Sequence, residues 1–188
     1  DVVLSLCEPG EPLSADVHNV LGGILRGAEE MRTIIDDFVA FGALQDDALT
    51  LRPRPLDLPS LLAHVVDSAR GAAAAKGIDL ELRAPPAPPL PADEDRLRQV
   101  ITNLLSNAIK FSQGGTRTTV LCLPGAGVLR VEVRDQGPGF DEADLDRAFQ
   151  RYARLSAQPT AGEPSTGLGL SICRRIVEIH GDRIGFAN

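Results

Sequence analysis

Three polar side chains lie beside the broad apolar face of a predicted helix between residues 93 and 111. Asn103, Asn107 and Lys110 are spaced four and three residues apart, which places them on one narrow stripe of an α-helix. Asparagine is unfavourable inside a helix because its side chain competes for backbone hydrogen bonds. The two asparagines therefore need partners, either in nearby backbone or in a ligand. An amide oxygen suits Mg²⁺, and a lysine one turn further on suits phosphate.

Two glycine-containing segments come later in the sequence. Asp135 ends a predicted strand, where its carboxylate can accept a hydrogen bond from an exocyclic amine. Gly137 and Gly139 follow it and let a ligand approach closely, because glycine has no Cβ. The second segment opens a helix, whose first backbone N–H groups and positive dipole end form an anion site. Its residues are Thr166, Gly167, Leu168, Gly169 and Leu170. Each segment alone is also explained as an ordinary turn or helix start.

The stretch between the two glycine segments, residues 151–163, is polar and has few hydrophobic anchors. An unstructured loop of that length is usually functional or disordered. The functional interpretation is a lid over a nucleotide, in which Arg151 and Arg154 reach terminal phosphates. The alternative is that both arginines are solvated surface residues.

The secondary-structure elements that must position these residues follow a simple order along the chain. The N-terminal part is predicted to be helical, and the rest to contain both helices and strands. Apolar periodicity predicts a helical arm from about residue 14 to 44. After it we expect helices over 60–76, 93–111, 141–149 and 168–180, strands within 49–58 and over 78–83, 117–123 and 128–135, a proline-rich connector over 84–91, and a strand beginning at 183–187. This order predicts an α+β fold, a two-layer α/β sandwich whose mixed, mostly antiparallel sheet has helices on one face. We assign residues 1–48 to a partial helical arm and 49–188 to the sandwich.

Composition and charge limit the possible partners and locations. The chain has 188 residues and a net charge of −7, so a nucleic-acid partner is not expected. No apolar run approaches the roughly 18 residues of a membrane span. We expect no membrane contact by this piece and a cytoplasmic location, although a longer parent protein can be membrane-anchored. Cys122 and Cys173 fall in apolar stretches, and we expect them to be small buried side chains.

The asparagine stripe and the two glycine segments are far more specific together than separately. In this order they resemble the ATP-binding catalytic domain of sensor histidine kinases, in the group that also contains gyrase, Hsp90 and MutL ATPases. The resemblance runs from about Leu56 to Phe186. It covers the N box, the first glycine box, the aromatic box and the second glycine box with its helix, which read here DRLRQVITNLLSNAIKFS, DQGPGF, AFQRY and STGLGLSICRRIVEIHGDRI.

The resemblance implies a site for ATP and Mg²⁺ and the transfer of the γ-phosphoryl group to a histidine. In such a reaction, positioning and charge neutralisation do most of the work. Asn107 would coordinate Mg²⁺ beside Asn103, and Lys110 would contact phosphate. Asp135 would bind the adenine amino group.

Further roles follow from the same resemblance. Gly137 and Gly139 would shape the adenine pocket, and Phe149 and Tyr152 would anchor the lid. The second glycine segment, Thr166 to Leu170, would serve the phosphates and the hinge of the lid. The candidate catalytic residues are Asp16, Asn103, Lys110 and Arg154.

The helical arm departs from the family pattern at the phosphoacceptor. The segment LSADVHNVLGGI resembles the acceptor motif, but Ala15 stands where the family has its histidine. Asp16, the usual general base, would then have nothing to deprotonate. His18 lies one turn beyond on roughly the same face and is the fallback acceptor, although Asn19 beside it cannot act as a base. Otherwise Ala15 is an engineered inactivation, or the chain is a natural pseudokinase for its own arm.

The resemblance also implies partners. Intact arms of this kind pair two protomers in a four-helix bundle, so we expect a homodimer, and a response-regulator receiver domain that accepts phosphate on an aspartate. The arm is too short for its helical hairpin, and the chain stops before the family's last strand pair, so we expect a longer protein. One alternative is an ATP-binding pseudokinase or scaffold that signals without phosphotransfer, which Ala15 favours. Another is an anti-sigma-type serine kinase, which lacks the arm and is disfavoured by residues 14–44.

Overall fold

The structure is a computed structural model that describes residues 16–17, 19–24, 27–28, 31, 35, 42, 50–125, 127–153, 155–163 and 165–187. Beyond the arm, its helices are α1 (Leu58–Ala75), α2 (Glu94–Phe111), α3 (Glu142–Leu145) and α4 (Gly169–Ile179). Its strands are β1 (Arg54–Leu56), β2 (Asp79–Arg83), β3 (Leu90–Ala92), β4 (Arg117–Pro124) and β5 (Leu129–Arg134).

The two long helices begin at aspartates that cap them. The Asp57 carboxylate accepts a hydrogen bond from the Ser60 backbone N–H at 3.2 Å, and Asp93 accepts one from the Arg96 N–H at 3.2 Å. An N-cap of this kind satisfies a backbone donor that has no partner inside the helix. Gly77 follows α1 with a φ of +68°, a left-handed conformation in which glycine is favoured. These contacts explain why both helices lie close to their predicted bounds.

The strands form a mixed arrangement in two parts. Strands β2, β4 and β5 make one sheet, in which β2 is parallel to β4 and β4 is antiparallel to β5. Strands β1 and β3 form a separate antiparallel pair. Two of the three pairings are therefore antiparallel, which confirms the predicted mixed and mostly antiparallel α+β fold.

Helices α1 and α2 pack on one face of the three-stranded sheet. Leu62 and Leu105 from the helices are in the same buried cluster as Leu80, Val120 and Cys122 from the strands. A second cluster lies between α2 and α4 and consists of Val100, Leu168, Ile172, Cys173 and Ile176. The second cluster fixes the start of α4 against α2, and Cys122 and Cys173 are buried as predicted.

Three local predictions are wrong. Residues 183–187 form no strand, because Phe186 packs against Phe140 instead, with ring centroids 4.5 Å apart; strand propensity depends on the available pairing surface. The last residues of the connector predicted over 84–91 belong instead to β3. There Pro91 pairs with Pro55 of β1 in the short antiparallel pair. The helix predicted over 141–149 is helical only over α3 and continues as turns.

The described residues between 16 and 42 have helical backbone, as the apolar periodicity of residues 14–44 predicted. Four of their apolar side chains are 47% to 61% exposed. They are Val20, Ile24, Met31 and Ile35. Their spacings of four, seven and four residues place them along one side of a helix.

Candidate nucleotide-binding site

The Asn103 side chain lies between α2 and the second glycine segment. Its Nδ2 atom is buried and has no hydrogen-bond partner among the described residues. A Cβ built on Gly169, the first residue of α4, would lie 3.8 Å from Asn103 Cγ and Nδ2. Buried polar groups nearly always have partners, and an unpaired donor costs about 1–3 kcal/mol. The sequence left two possible partners for this amide, nearby backbone or a ligand. No backbone group among the described residues accepts from Nδ2, and a ligand group between the stripe and α4 would do so.

Asn107 and Lys110 continue the stripe over the next turn of α2, and both are half-buried. The Lys110 Nζ atom lies 5.9 Å from the centroid of the Phe111 ring. A lysine in the last turn also suits the negative end of the helix dipole. The helix therefore presents two amides and one ammonium group in a row, as the spacing predicted.

Within the described ranges, the hydroxyls of Ser112 and Thr118 are also buried without a hydrogen-bond partner. Ser112 caps the C-terminal end of α2, and Thr118 lies in β4, so neither belongs to the stripe. The Asn103 amide is the unpaired group that faces a glycine segment.

The first glycine segment packs against the end of α2. The Gly137 N–H donates to Asp135 Oδ1 at 2.8 Å, which turns the exposed aspartate side chain back on its own backbone. A Cβ on Gly137 would lie 2.8 Å from that oxygen and 3.2 Å from the Phe111 carbonyl oxygen. Gly139 has a φ of +69°. Position 137 therefore needs glycine for close approach and position 139 for its left-handed backbone.

The second glycine segment contacts the aromatic segment. The Tyr152 N–H donates to the Gly167 carbonyl at 2.9 Å, and a Cβ on Gly167 would lie 2.9 Å from the Ala153 carbonyl oxygen. Gly167 has a φ of +68° and Tyr152 one of +57°, an uncommon conformation for a residue with a large side chain. The Leu168 N–H donates to Thr166 Oγ1 at 3.3 Å. This pairing holds the segment against the residues before the loop.

The aromatic residues occupy different environments. The Phe149 ring stacks on Phe186 with centroids 5.6 Å apart, whereas Tyr152 is 60% exposed. Leu168 is buried, and Leu170 is half-buried on the first turn of α4. Phe149 is therefore packed against the last described residues, whereas most of Tyr152 is exposed to solvent.

Residues 155–163, called here the 155–163 loop, are held at both ends by contacts that the sequence did not predict. The Asp144 carboxylate accepts hydrogen bonds from the Ser156 N–H at 2.7 Å and the Ser156 hydroxyl at 2.6 Å, which lower the pKa of Asp144. Further along the loop, the Thr160 N–H and hydroxyl both donate to the Lys110 carbonyl, each at 3.1 Å. The loop therefore lies against the end of the helix that carries the polar stripe.

An ion pair joins Lys76 to Glu163 at 2.8 Å. Burial alone would raise the pKa of Glu163, but the hydrogen bonds from Lys76 and from backbone N–H groups hold it below its usual value. Lys76 lies at the end of α1 and Glu163 at the end of the 155–163 loop. The sequence did not predict this contact, although Lys76 and Lys110 are the two lysines of a chain that otherwise uses arginine.

Comparisons with known proteins agree with this geometry. Residues 92–188, just over half of the chain, match the family described as histidine kinase-, DNA gyrase B- and HSP90-like ATPases. The chain belongs to this family. The region from β3 to the last described residues, which contains the stripe and both glycine segments, is the part that matches.

Within this family, the curated relatives that match the chain include sensory kinases. The adaptive-response sensory kinase SasA of Synechococcus sp. (strain CC9311) is 34% identical over 171 residues, which are 90% of this chain and 44% of that protein. SasA of Parasynechococcus marenigrum (strain WH8102) is 35% identical over 165 residues, 86% of this chain and 42% of that protein. The chain thus spans less than half the length of these curated relatives.

Solved structures give the same result. Full-length ShkA in complex with AMPPNP superposes with a TM-score of 0.73 at 26% identity, covering 95% of this chain and 37% of ShkA. The mycobacterial sensor histidine kinase MprB superposes with a TM-score of 0.60 at 27% identity, covering 69% of this chain and 81% of MprB. This chain therefore carries the catalytic domain of a sensor histidine kinase, and the predicted resemblance is confirmed.

The remaining predicted residues lie mostly outside the described part of the chain. Ala15, His18 and Arg154 are outside the described residues, and Asp16 is exposed on the arm. Arg151 is exposed beside Tyr152. None of the helices within the described residues is long and apolar enough to span a membrane.

The donor set fits Mg²⁺ better than a transition metal. Within the described residues, no three histidine, cysteine or carboxylate side chains form a metal cluster. Mg²⁺ usually keeps waters and binds substrate phosphates with only one or two protein oxygens. The half-buried Asn107 amide, one turn beyond the unpaired Asn103 amide, is a donor of this kind.

Proposed function

We propose that this domain binds ATP with Mg²⁺ and transfers the γ-phosphoryl group to a histidine, from which it passes to an aspartate of a response regulator. The unpaired Asn103 amide facing Gly169 is the observation that carries the proposal. A nucleotide phosphate between α2 and α4 would supply oxygen acceptors for that amide and for the backbone N–H groups at the start of α4. The family match and the ShkA complex with AMPPNP support the same ligand.

Each part of the site has a role in this reaction. Asn107 would hold Mg²⁺, which supplies neutralisation of the phosphate charge. Lys110 would add a point charge at the phosphates, and the left-handed Gly167 would let the backbone approach them. Asp135 would accept from the adenine amino group through its carboxylate. The acceptor histidine nitrogen would bond to the γ-phosphorus as the bond to the ADP oxygen breaks. An acceptor at position 15 would give its imidazole proton to Asp16, whereas this chain has Ala15 there.

The arm carries the proposed partners. The exposed apolar side chains of the described arm residues are the kind of surface that a second protomer covers in a four-helix bundle. We therefore propose a homodimer, with the receiver domain of a response regulator as the second partner. Because the reaction uses ATP, we propose that it takes place in the cytoplasm.

Ala15 favours a second candidate function. With alanine at the apparent acceptor position, the domain would bind ATP but lack its own acceptor, and it would act as a nucleotide-dependent scaffold. Phosphotransfer and scaffolding differ in one measurable product, an acid-labile phosphate on the protein.

The test is incubation with Mg²⁺ and ATP labelled at the γ-phosphate, followed by mapping of acid-labile phosphate. We compare the natural chain, Ala15→His, and Ala15→His combined with Asn107→Ala. Label on Ala15→His alone would establish a competent catalytic domain that has lost its acceptor. Label on His18 of the natural chain would establish a displaced acceptor. Absence of label and of nucleotide binding in all three proteins would refute the proposed function.

A further inference from the structure

The last turn of α2 is held by a side chain from another helix. The Lys76 Nζ atom donates hydrogen bonds to the carbonyl oxygens of Ile109 at 2.9 Å and Lys110 at 3.0 Å. The final carbonyls of a helix have no partner inside it, and a positive charge there also suits the helix dipole. Lys76 therefore caps the helical turn that carries Lys110, although the two residues are 34 positions apart in the sequence.

The same ammonium group binds the 155–163 loop. Its third hydrogen bond goes to Glu163 Oε1 at 2.8 Å, and the side chains of Lys76 and Glu163 are only 17% and 33% exposed. The Lys110 carbonyl that accepts from Lys76 also accepts from the Thr160 N–H and hydroxyl. The Lys110 carbonyl oxygen thus accepts hydrogen bonds from both Lys76 and the loop. The Lys76 ammonium group in turn donates to both the helix end and the loop.

The geometry requires lysine. An ammonium group has three donors that diverge from a single nitrogen, and all three are used here on oxygens from two different segments. The donors of arginine lie in one plane and suit a carboxylate that faces them side by side. Arginine supplies the other cationic side chains of the chain apart from Lys110, so the use of lysine at position 76 matches the contact that it makes.

We propose that Lys76 is a positioning residue that joins the 155–163 loop to the last turn of α2, and so sets how long a bound nucleotide stays. The inference rests on the proposed ATP site for its effect on nucleotide. The joining itself is a property of the protein alone. While the contact holds, the loop keeps a fixed relation to the turn that presents Lys110. When it breaks, the loop can move away and open a path for release.

Hydrogen exchange of the whole chain without nucleotide tests the joining. In Lys76→Met and in Glu163→Gln, we expect the Thr160 amide to exchange about tenfold faster, the equivalent of one hydrogen bond to a charged group. The Ser156 amide should keep its rate, because Asp144 holds it independently. Lys76→Arg, which keeps the charge but not the geometry, should resemble Lys76→Met. Glu81→Gln is the matched control, since Glu81 is also 33% exposed and paired with an arginine.

The outcomes separate the two proposals. Unchanged Thr160 exchange in Glu163→Gln and Lys76→Met, or full protection in Lys76→Arg, would overturn the positioning role. Because Glu163 lies on a loop, its variant remains informative even where Lys76→Met fails to fold. Dissociation of a fluorescent ATP analogue should then be about fivefold faster in both variants and unchanged in Glu81→Gln. A natural chain that binds no nucleotide would refute the ATP site, while the exchange result would still decide the role of Lys76.

Discussion

The buried polar groups of Asp93, at the N-cap of α2, and of Asn103, within the helix, differ in whether the protein satisfies their hydrogen bonds. At the start of the helix, the Asp93 carboxylate accepts from the Arg52 N–H at 2.9 Å and the Arg96 N–H at 3.2 Å. The Asp93 N–H donates to His180 Nε2 at 3.2 Å, and His180 Nδ1 lies 2.8 Å from the Ile176 carbonyl. Nearly three turns further on, the Asn103 amide nitrogen is buried and has no partner in the part of the chain that the structure describes. A complete set of protein partners is typical of a structural group, whereas the missing partner of Asn103, which faces a glycine segment, is the place where we propose a ligand.

The histidine at the start of the helix has a defined tautomer. A backbone N–H can only donate, so His180 Nε2 must accept and Nδ1 must carry the proton that goes to the Ile176 carbonyl. His180 therefore links the end of α4 to the start of α2. This link and the cluster between the two helices hold the start of α4 beside Asn103.

The largest expected effect is at the ligand end of the comparison. Asn107→Ala should weaken binding of ATP with Mg²⁺ by at least about 100-fold, because the variant removes the proposed protein ligand of the metal. Titration with a fluorescent ATP analogue measures the affinity, and circular dichroism checks the fold. Ser106→Ala, at the exposed neighbouring position, is the control and should bind as the natural chain does. An Asn107→Ala protein with unchanged affinity would remove the basis for the site assignment.

Asp93, at the start of α2, should show the opposite behaviour: its loss should lower stability and leave nucleotide affinity unchanged. Asp93→Ala should lower the free energy of unfolding by about 2 kcal/mol, because two backbone N–H groups lose their acceptor. Its nucleotide affinity should stay within about twofold of the natural value, since no part of the proposed site is touched. Urea unfolding and nucleotide titration measure the two quantities. Asp95→Ala, an exposed acid in the same turn, should cost only about 0.5 kcal/mol. Equal losses in both variants would show that Asp93 acts only through its charge.

The contrast between these ends could be predicted only in part from the sequence. The spacing of Asn103, Asn107 and Lys110 is a pattern within one helix, and each glycine segment is a pattern within one turn. Such local patterns can be recognised without knowing how the elements pack. His180 was different, because its partner Asp93 lies 87 residues away in the sequence. The Lys76 contact depends equally on the packing of α1 beside α2. Residues 183–187 read locally as a strand but pack by their aromatic ring instead, which the residue pattern alone does not reveal.

A third variant separates stability from binding at one position. Asn103→Leu should raise the free energy of unfolding by about 1 kcal/mol, because it removes an unpaired buried donor and keeps a similar volume. Nucleotide affinity should fall about tenfold at the same time, as the amide can no longer meet the ligand. Thr102→Leu, exposed on the same turn, corrects for the better helix propensity of leucine. A destabilised Asn103→Leu protein would mean that the amide already has a partner in the absence of nucleotide.

The smallest effect is the pH dependence of the structural end. Burial alone would raise the pKa of Asp93, but hydrogen bonds from the Arg52 and Arg96 N–H groups and the nearby Arg96 charge keep it below its ordinary value. A lowered pKa in the folded state stabilises the protein above the unfolded pKa of about 3.9, and this stabilisation is lost as the pH falls through the folded value. Asp93→Asn keeps a cap oxygen for Arg96 but carries no charge. It should be about 1 kcal/mol less stable than the natural chain at pH 7.

The gap between these two proteins should shrink as the pH falls below about 4, because a protonated Asp93 resembles asparagine. Urea unfolding of both proteins between pH 7 and pH 3 measures the gap directly. Asp95→Asn is the control, since its exposed side chain should give a gap near zero throughout. A gap that stays constant or widens in acid would show that the Asp93 charge contributes nothing to the cap. The start of α2 would then be held by hydrogen-bond geometry alone, and the contrast with Asn103 would rest on partners rather than on charge.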